Sequence, residues 1–191
     1  MKTTVVNFFA ALSVLGLIGV ARAADEHEHE HKAEPVKEAV ALIAPTRPSK
    51  SSVAGIVVLK QEKGYVQLTG EVTGLTPGKH GFHIHMFGDL RSADGMSVGG
   101  HYNPHGHPHG GPASKQRHEG DLGNLEATAE GVAKVNVKAG HVDLSHILGR
   151  SLVVHGDVDD LKSQPAGNAG PRIGIGVIGR AEVKATTAAK K

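Results

Sequence analysis

Histidine dominates the chemistry available to this sequence. The 191 residues include 14 His and no Cys, which excludes disulfides, thiolate metal sites and cysteine nucleophiles. The sharpest local pattern is His83-Ile84-His85, because side chains two residues apart on a β-strand point to the same face. Two imidazoles on one face can bind a single ion. Without sulfur ligands, such a site suits Cu²⁺ or Zn²⁺.

The long segment after this pair holds further candidate ligands. They are His101, His105, His107, His109, His118 and Asp121. Three His and one Asp around one ion is a plausible tetrahedral zinc site. His155, at the end of a Val-Val segment, is a further candidate, although a histidine at a strand end is more often exposed to solvent. The sequence therefore predicts a metal site that includes His83 and His85, with the remaining ligands open.

Short strands must position these histidines. Segments typical of β-strands lie at 55–59, 65–72, 79–85, 122–129, 132–137, 150–155 and 173–183, and glycine accounts for 26 of the 191 residues. Glu62–Gly64 and Glu130-Gly131 are typical of hairpin turns. We predict an all-β fold, a Greek-key β-barrel or sandwich of about eight strands. Two long loops, 87–121 and 156–172, are expected to carry the function, since loops of this length are otherwise uncommon.

The two ends of the chain differ from its middle. Residues 1–23 are typical of a secretory signal peptide, with Lys2, an apolar stretch and Ala21-Arg22-Ala23 before the expected cleavage site. An uncleaved anchor is the alternative, but the apolar stretch is short for a membrane span. We expect a flexible His-rich tail and linker at 24–50, a folded domain at 51–185 and a C-terminal tail at 186–191. The mature protein would be periplasmic or secreted and free of the membrane.

Acidic residues alternate with His27, His29 and His31 in the tail. This composition is typical of loose metal binding, which would make the tail a possible copper donor; a solvated, charged linker is the alternative. Of the 21 basic residues, Lys2 and Arg22 would leave with the signal peptide, which makes the basic residues equal in number to the 19 acidic ones. A mature net charge near zero argues against a nucleic-acid partner.

Six motifs carry a family resemblance. In chain order they are GFHIHMFGD (81–89), GHYNP (100–104), HGGP (109–112), RHEGDLGN (117–124), VVH (153–155) and GNAGPR (167–172). Together they resemble the copper/zinc superoxide dismutase family over roughly residues 51–183. The resemblance implies copper and zinc as cofactors and superoxide as substrate. In the implied reaction Cu²⁺ oxidises one superoxide to O₂, and Cu⁺ then reduces a second, with two protons, to H₂O₂.

The resemblance also implies roles for single residues. Copper would be bound by His83, His85, His101 and His155, and zinc by His101, His109, His118 and Asp121. His101 would bridge the metals and supply a proton, and Arg172 would hold superoxide beside copper. Asp159 would link a copper ligand to a zinc ligand through their outer nitrogens. Without the resemblance, Asp159 would be interpreted as an acidic-turn residue and Arg172 as a surface charge.

Three features depart from the family pattern. Gly95 and Ile175 stand where the family has its disulfide cysteines, so the metal loop must be held in another way. The segment Lys162–Ala166 is shorter than in common relatives and has no carboxylates. Arg180 replaces an apolar residue of their dimer contact, which leaves a homodimer open.

Several histidines lie outside the implied ligand sets. We expect His105 and His107 to be solvated, with accessory metal binding as the alternative, and His80, His141 and His146 to be surface or turn residues. Two other functions compete with the enzyme: an exported copper/zinc-buffering protein on a dismutase scaffold, and a catalytically inactive structural domain. The complete ligand set favours the enzyme.

Overall fold

The computed structural model describes residues 35–182. The predicted signal peptide, the three tail histidines His27, His29 and His31, and the predicted C-terminal tail lie outside the described residues. Within residues 35–182, no helix is long and apolar enough to cross a membrane.

Nine β-strands make up most of the described chain. They are β1 (Glu38–Pro45), β2 (Ala54–Glu62), β3 (Tyr65–Thr73), β4 (Gly78–His85), β5 (Asp121–Ala127), β6 (Ala133–Gly140), β7 (Ser151–His155), β8 (Arg172–Val177) and β9 (Gly179–Arg180). Helical structure in residues 35–182 is limited to a 3₁₀ turn at Met96–Val98 and the four-residue helix α1 (Leu144–Ile147). The predicted all-β fold is confirmed.

The strands close into a barrel. Their order is β2-β3-β6-β5-β4-β7-β8-β1, and β1 also pairs with β2, while the short β9 pairs with β1. All neighbours are antiparallel. Because β3 lies beside β6 and not beside β4, the chain crosses over as in a Greek key. The predicted Greek-key barrel of about eight strands is therefore confirmed, and closure removes the exposed sheet edges.

Strand β1 corrects the expected domain boundary. We predicted residues 24–50 to be a flexible tail and linker, but 38–45 form a barrel strand. Ala39, Ala41 and Ile43 alternate into the core and are at most 1% exposed. Alanine is a weak strand former, so the two-residue alternation is inconspicuous in the sequence. Pairing with β2 on one side and β8 on the other holds the strand in place.

Both long loops are tied to strand β4. In the β4–β5 loop, the Gly120 carbonyl accepts the Ile84 amide at 2.9 Å, and the Tyr102 amide donates to the Ile84 carbonyl at 2.7 Å. In the β7–β8 loop, the Asp157 carbonyl accepts the Gly81 amide at 2.9 Å. The segments predicted to carry the chemistry are thus bonded to the strand that carries the His83-Ile84-His85 pattern.

Candidate metal centre

Strand β4 provides the base of the site. His83 and His85 lie on the same face of β4 and are at most 1% exposed. Strand β7 pairs with β4 and brings in His155, whose ring centroid is 4.9 Å from that of His83. An isolated β-bridge joins His85 to His101. Four buried imidazoles from two strands and a loop therefore meet, and we call them the four-His group.

The donor atoms of the four-His group converge. One ligand atom of each residue lies within 4.8 Å of all the others. Nδ1 of His83 and Nε2 of His101 are buried without a hydrogen-bond partner, and Nε2 of His85 lies 3.4 Å from Nε2 of His155. Unpartnered buried polar atoms are costly. An ion bound by these nitrogens would satisfy them.

Other nitrogens orient the same rings. Nδ1 of His85 donates to the Gly99 carbonyl at 2.8 Å, and Nδ1 of His155 donates to the Gly170 carbonyl at 3.1 Å. A ligand histidine is normally oriented in this way, through the nitrogen that does not bind the metal. In both residues this leaves Nε2 as the ligand atom.

A second cluster, the three-His–Asp group, shares His101. Asp121 Oδ1 lies 2.7 Å from Nδ1 of His101, 3.0 Å from Nδ1 of His109 and 3.1 Å from Nδ1 of His118. The approach to His109 lacks hydrogen-bond geometry. Ligand atoms of a tetrahedral zinc site, each about 2.0 Å from the ion, are about 3.3 Å from one another. The observed spacing thus fits zinc.

Asp159 joins the two groups. Its Oδ2 accepts a hydrogen bond from Nε2 of His83 at 2.8 Å, and its Oδ1 accepts one from Nε2 of His109 at 2.9 Å. A Cβ on Gly167, where φ is 66°, would collide with Oδ1. The structure therefore places Asp159 where the resemblance predicted a link, and Gly167 leaves room for it.

Burial sets the charge of the four-His group. It lowers the pKa of His83 to about 4 and that of His155 to about 3. Burial also lowers the pKa of His85 well below its usual value. These three imidazoles are therefore neutral at pH 7, which is the form that binds a metal.

Carboxylates reverse this effect at His109. Burial lowers its pKa, but Asp121 and Asp159 outweigh burial and raise the pKa to about 9. Burial likewise acts to raise the pKa of both carboxylic acids, yet hydrogen bonds from the histidines hold these pKa values well below the usual range. Without a metal, His109 carries a proton at pH 7 that a bound ion must displace.

An open cavity of about 890 Å³ reaches both groups, with Arg172 in its wall beside His85, His101, His118 and His155. The Arg172 guanidinium donates from Nη2 to the Gly99 carbonyl at 2.6 Å and from Nη1 to the Gly95 carbonyl. These two bonds orient a half-buried cation in the cavity. A small anion that enters would meet it next to the four-His group.

Gly95 and Ile175, the positions of the missing disulfide, are in contact. A Cβ on Gly95, where φ is 75°, would collide with Cδ1 of Ile175. Ile175 is buried in a small cluster with Val98 and Val153. Apolar packing and the bonds of Arg172 therefore attach the loop to the barrel where the family uses a covalent bridge.

His80 corrects a second expectation. We predicted a surface or turn residue, but His80 is 2% exposed. Its Nδ1 lies 2.8 Å from the His155 carbonyl, and its Nε2 lies 2.8 Å from the Thr76 carbonyl. The residue shares the inward face of β4 with Phe82 and Ile84. That two-residue alternation was the signal that could have identified it. By contrast, His141 and His146 are exposed, as predicted.

Two polar side chains that the sequence analysis did not single out, Gln164 and Asn124, hold the ligand His109 and the linking residue Asp159 in place. Oε1 of Gln164 accepts the His109 amide at 2.8 Å, and its Nε2 donates to the His109 carbonyl at 2.9 Å. Asn124 makes a similar pair of bonds with the main chain of Asp159, at 2.8 and 2.9 Å. Gln164 lies in the shortened segment Lys162–Ala166, which thus clamps a ligand although it has no carboxylates.

A family model and two relatives all match this chain to copper/zinc superoxide dismutases. The family model for copper/zinc superoxide dismutase (SODC) matches residues 53–178. Superoxide dismutase [Cu-Zn] 3 of Arabidopsis thaliana is 46% identical over 151 residues, which cover 74% of this chain and 89% of the relative. Extracellular superoxide dismutase [Cu-Zn] of Brugia pahangi is 39% identical over 155 residues, 75% of this chain and 77% of the relative.

A solved structure agrees with these relatives. The crystal structure of the clock protein EA4 superposes with a TM-score of 0.72 at 34% identity, and the match covers 79% of this chain and 99% of that one. The region that matches the family model contains both ligand groups, Asp159 and Arg172. The chain belongs to the copper/zinc superoxide dismutase family.

Proposed function

We propose that this chain is an exported superoxide dismutase that converts two superoxide anions and two protons to O₂ and H₂O₂. The observation that carries the proposal is the pair of buried ligand groups that share His101, beside the Arg172 guanidinium in an open cavity. A single metal site would not need a shared imidazole, and a purely structural one would not need a cation in an open cavity.

The donor sets assign the metals. Four nitrogen donors without a carboxylate suit copper, so His83, His85, His101 and His155 would hold it. Three histidines and a carboxylate suit zinc, so His101, His109, His118 and Asp121 would hold that ion. Bound copper supplies one-electron chemistry by alternating between Cu²⁺ and Cu⁺, while zinc is redox-inert.

Arg172 binds the substrate in this proposal. Superoxide carries one negative charge, and the guanidinium is the cation that lines the cavity beside His85 and His155. Because the Gly95 and Gly99 carbonyls already orient it, little reorganisation is needed when the anion docks. Such preorganised charge is an efficient source of rate enhancement.

His101 would handle a proton. Its Nδ1 faces Asp121 at 2.7 Å, and its Nε2 is buried, unpartnered and turned toward the four-His group. Nε2 can therefore hold a proton between the two half-reactions and release it toward the peroxide product. Asp159 acts indirectly, because it keeps the His83 and His109 rings in line.

The location is part of the proposal. Residues 1–23 have the pattern of a signal peptide, and one relative is named extracellular. We place the mature protein in the periplasm or outside the cell, with His27, His29 and His31 as a copper-donating tail. The competing function, a copper/zinc buffer, draws on this His-rich tail.

Elemental analysis and a dismutase assay on the chain that starts at Ala24 test the proposal. After a chelator wash we expect one copper and one zinc per chain, and a rate far above that of free copper. Arg172→Ala should lower the rate tenfold or more, and the remote control Lys60→Ala should not. A loaded protein no faster than free copper would overturn the proposal. More than two tightly held ions, with no effect of Arg172→Ala, would establish the buffer.

A further inference from the structure

Three side chains on the β4–β5 loop form a cluster outside both ligand groups. Nε2 of His105 lies 3.0 Å from Oε1 of Glu119. The ring centroid of His107 lies 5.7 Å from that of His105. The His105 side chain is 63% exposed, whereas that of Glu119 is 14% exposed. We call these three residues the outer trio.

The distances within the outer trio can be compared with those within the three-His–Asp group. Its three pairs of imidazole rings have centroids 5.4, 5.5 and 5.6 Å apart, and the outer pair is 5.7 Å apart. Its carboxylate approaches the three ring nitrogens to between 2.7 and 3.1 Å, and Glu119 approaches His105 to 3.0 Å. The distances from His105 to His107 and to Glu119 thus match the corresponding distances within the buried ligand set.

We propose that His105, His107 and Glu119 form a third metal site for a borderline divalent ion such as Zn²⁺ or Cu²⁺. Two imidazoles and a carboxylate without sulfur suit these ions. Exposure leaves the remaining coordination positions to water. The site goes beyond the proposed dismutase activity and does not rest on it.

The loop around the trio is ordered by its own hydrogen bonds. Nδ2 of Asn103 donates to the His107 carbonyl at 2.8 Å, and the His107 amide donates to Oδ1 of Asn103 at 3.0 Å. Nδ1 of His107 lies 3.3 Å from the Arg117 carbonyl, which leaves Nε2 as its ligand atom. Gly106, with φ at 66°, forms the turn between the two histidines.

The site should be weaker than the buried ones. Within residues 35–182, only the two buried groups bring all their ligand atoms within 4.8 Å of one another. An ion at the outer trio must also fix the His105 side chain, which is 63% exposed, and this ordering costs free energy. We therefore expect an exchangeable ion that a chelator wash removes.

Calorimetric titration with Zn²⁺ tests the site. The protein is the mature chain with copper and zinc already bound, in which His27→Gln, His29→Gln and His31→Gln remove the competing tail. We expect one further equivalent of Zn²⁺ to bind. His105→Gln with His107→Gln should weaken this binding at least tenfold. The matched control, His141→Gln with His146→Gln, alters two exposed histidines far from Glu119 in sequence and should leave the binding unchanged.

Two further measurements examine the role of Glu119 and the direct binding of Zn²⁺ to the two histidines. Glu119→Gln removes only a charge and should weaken the added Zn²⁺ several-fold. In the ascorbate-reduced enzyme, imidazole ¹⁵N NMR should show Zn²⁺-dependent shifts at His105 and His107 without any loop substitution. No added equivalent, an added equivalent that survives the double substitution, or shifts confined to His141 and His146 would each overturn the proposal.

Discussion

The two ligand groups share His101 but are built in different ways. In the four-His group, His83, His85 and His155 belong to the paired strands β4 and β7, so the register of the sheet sets their positions. In the three-His–Asp group, His109 and His118 lie on the long β4–β5 loop. Hydrogen bonds, and not strand register, must therefore set their positions. The amide of His118, for example, donates to Oδ2 of Asp121 at 3.1 Å.

Electrostatics separates the groups further. Burial keeps His83 and His155 neutral, although His83 donates a hydrogen bond to Asp159. At His109, Asp121 and Asp159 overcome the same burial, and the ring is protonated at pH 7. His83, His85 and His155 are therefore neutral donors before an ion binds, whereas His109 must exchange a proton for the ion. Contact with one carboxylate does not reverse burial, because burial lowers the pKa of His83 beside Asp159 and of His118 beside Asp121. His109 lies between both carboxylates, and there they outweigh burial.

The largest expected effect comes from substituting one ligand in each group, because the two substitutions should lower the activity per copper to different extents. His155→Ala removes a donor of the proposed copper site, and we expect the activity per bound copper to fall by about 100-fold or more, or about 2.7 kcal/mol in barrier. His118→Ala removes a donor of the redox-inert ion, so zinc content should fall while activity per copper falls only about tenfold. Equal losses of activity per copper in both variants would contradict separate catalytic and structural roles for the two groups.

Asp159 should couple the two groups. Asp159→Asn replaces an acceptor of the His83 and His109 protons with a group that also donates. We expect zinc affinity to fall about 10- to 100-fold, which is usual when a residue that orients a ligand is lost. Competition with a chelator measures this affinity. Asp160→Asn, next in the chain, is the control and should change it less than threefold; an equal effect of both would refute a specific link.

The pH dependence should differ between the groups. Protonated His109 cannot bind an ion, so between pH 7 and about 9 zinc affinity should rise about tenfold per pH unit and then level off. His83 and His155, with pKa values of about 4 and 3, contribute no such dependence above pH 6. NMR titration of the metal-free protein measures these pKa values directly. A His109 pKa near 6.5 would remove the contrast between the groups.

The smallest effect concerns the attachment of the loop to the barrel. Ile175→Val removes one methylene beneath Gly95, and we expect a loss of about 1 kcal/mol in the free energy of unfolding. Activity should fall up to about threefold, because the Gly95 carbonyl orients Arg172. Ile43→Val in β1 is the control, with a similar loss of stability by urea denaturation but no loss of activity. A reductant should change neither quantity, since the chain has no cysteine.

The sequence pattern predicted those barrel strands that are rich in branched apolar residues. It did not predict strand β1, which is rich in alanine. The predicted strands 55–59 and 65–72 lie within β2 and β3, and they were found because Ile, Val and Leu are frequent there. Strand β1 was missed because small alanines fill most of its inward positions, and only its pairing with β2 and β8 makes it a strand. His80 was missed for a different reason: its two-residue spacing from Phe82 and Ile84 indicates an inward position, and this signal was overlooked.

Sequence by itself determined which atoms are available: imidazoles and carboxylates without thiols, two of the imidazoles on one strand face, and motifs in the order of a known family. Tertiary structure decided which of these groups meet. The β4–β7 pairing brings His155 to His83 across more than 70 positions of the chain. It also decided which nitrogen of each ring faces an ion, because the groups that occupy the other nitrogen, Asp159 among them, come from distant segments. Spacing along a chain cannot encode such a choice, since it depends on distances that exist only after the barrel has closed.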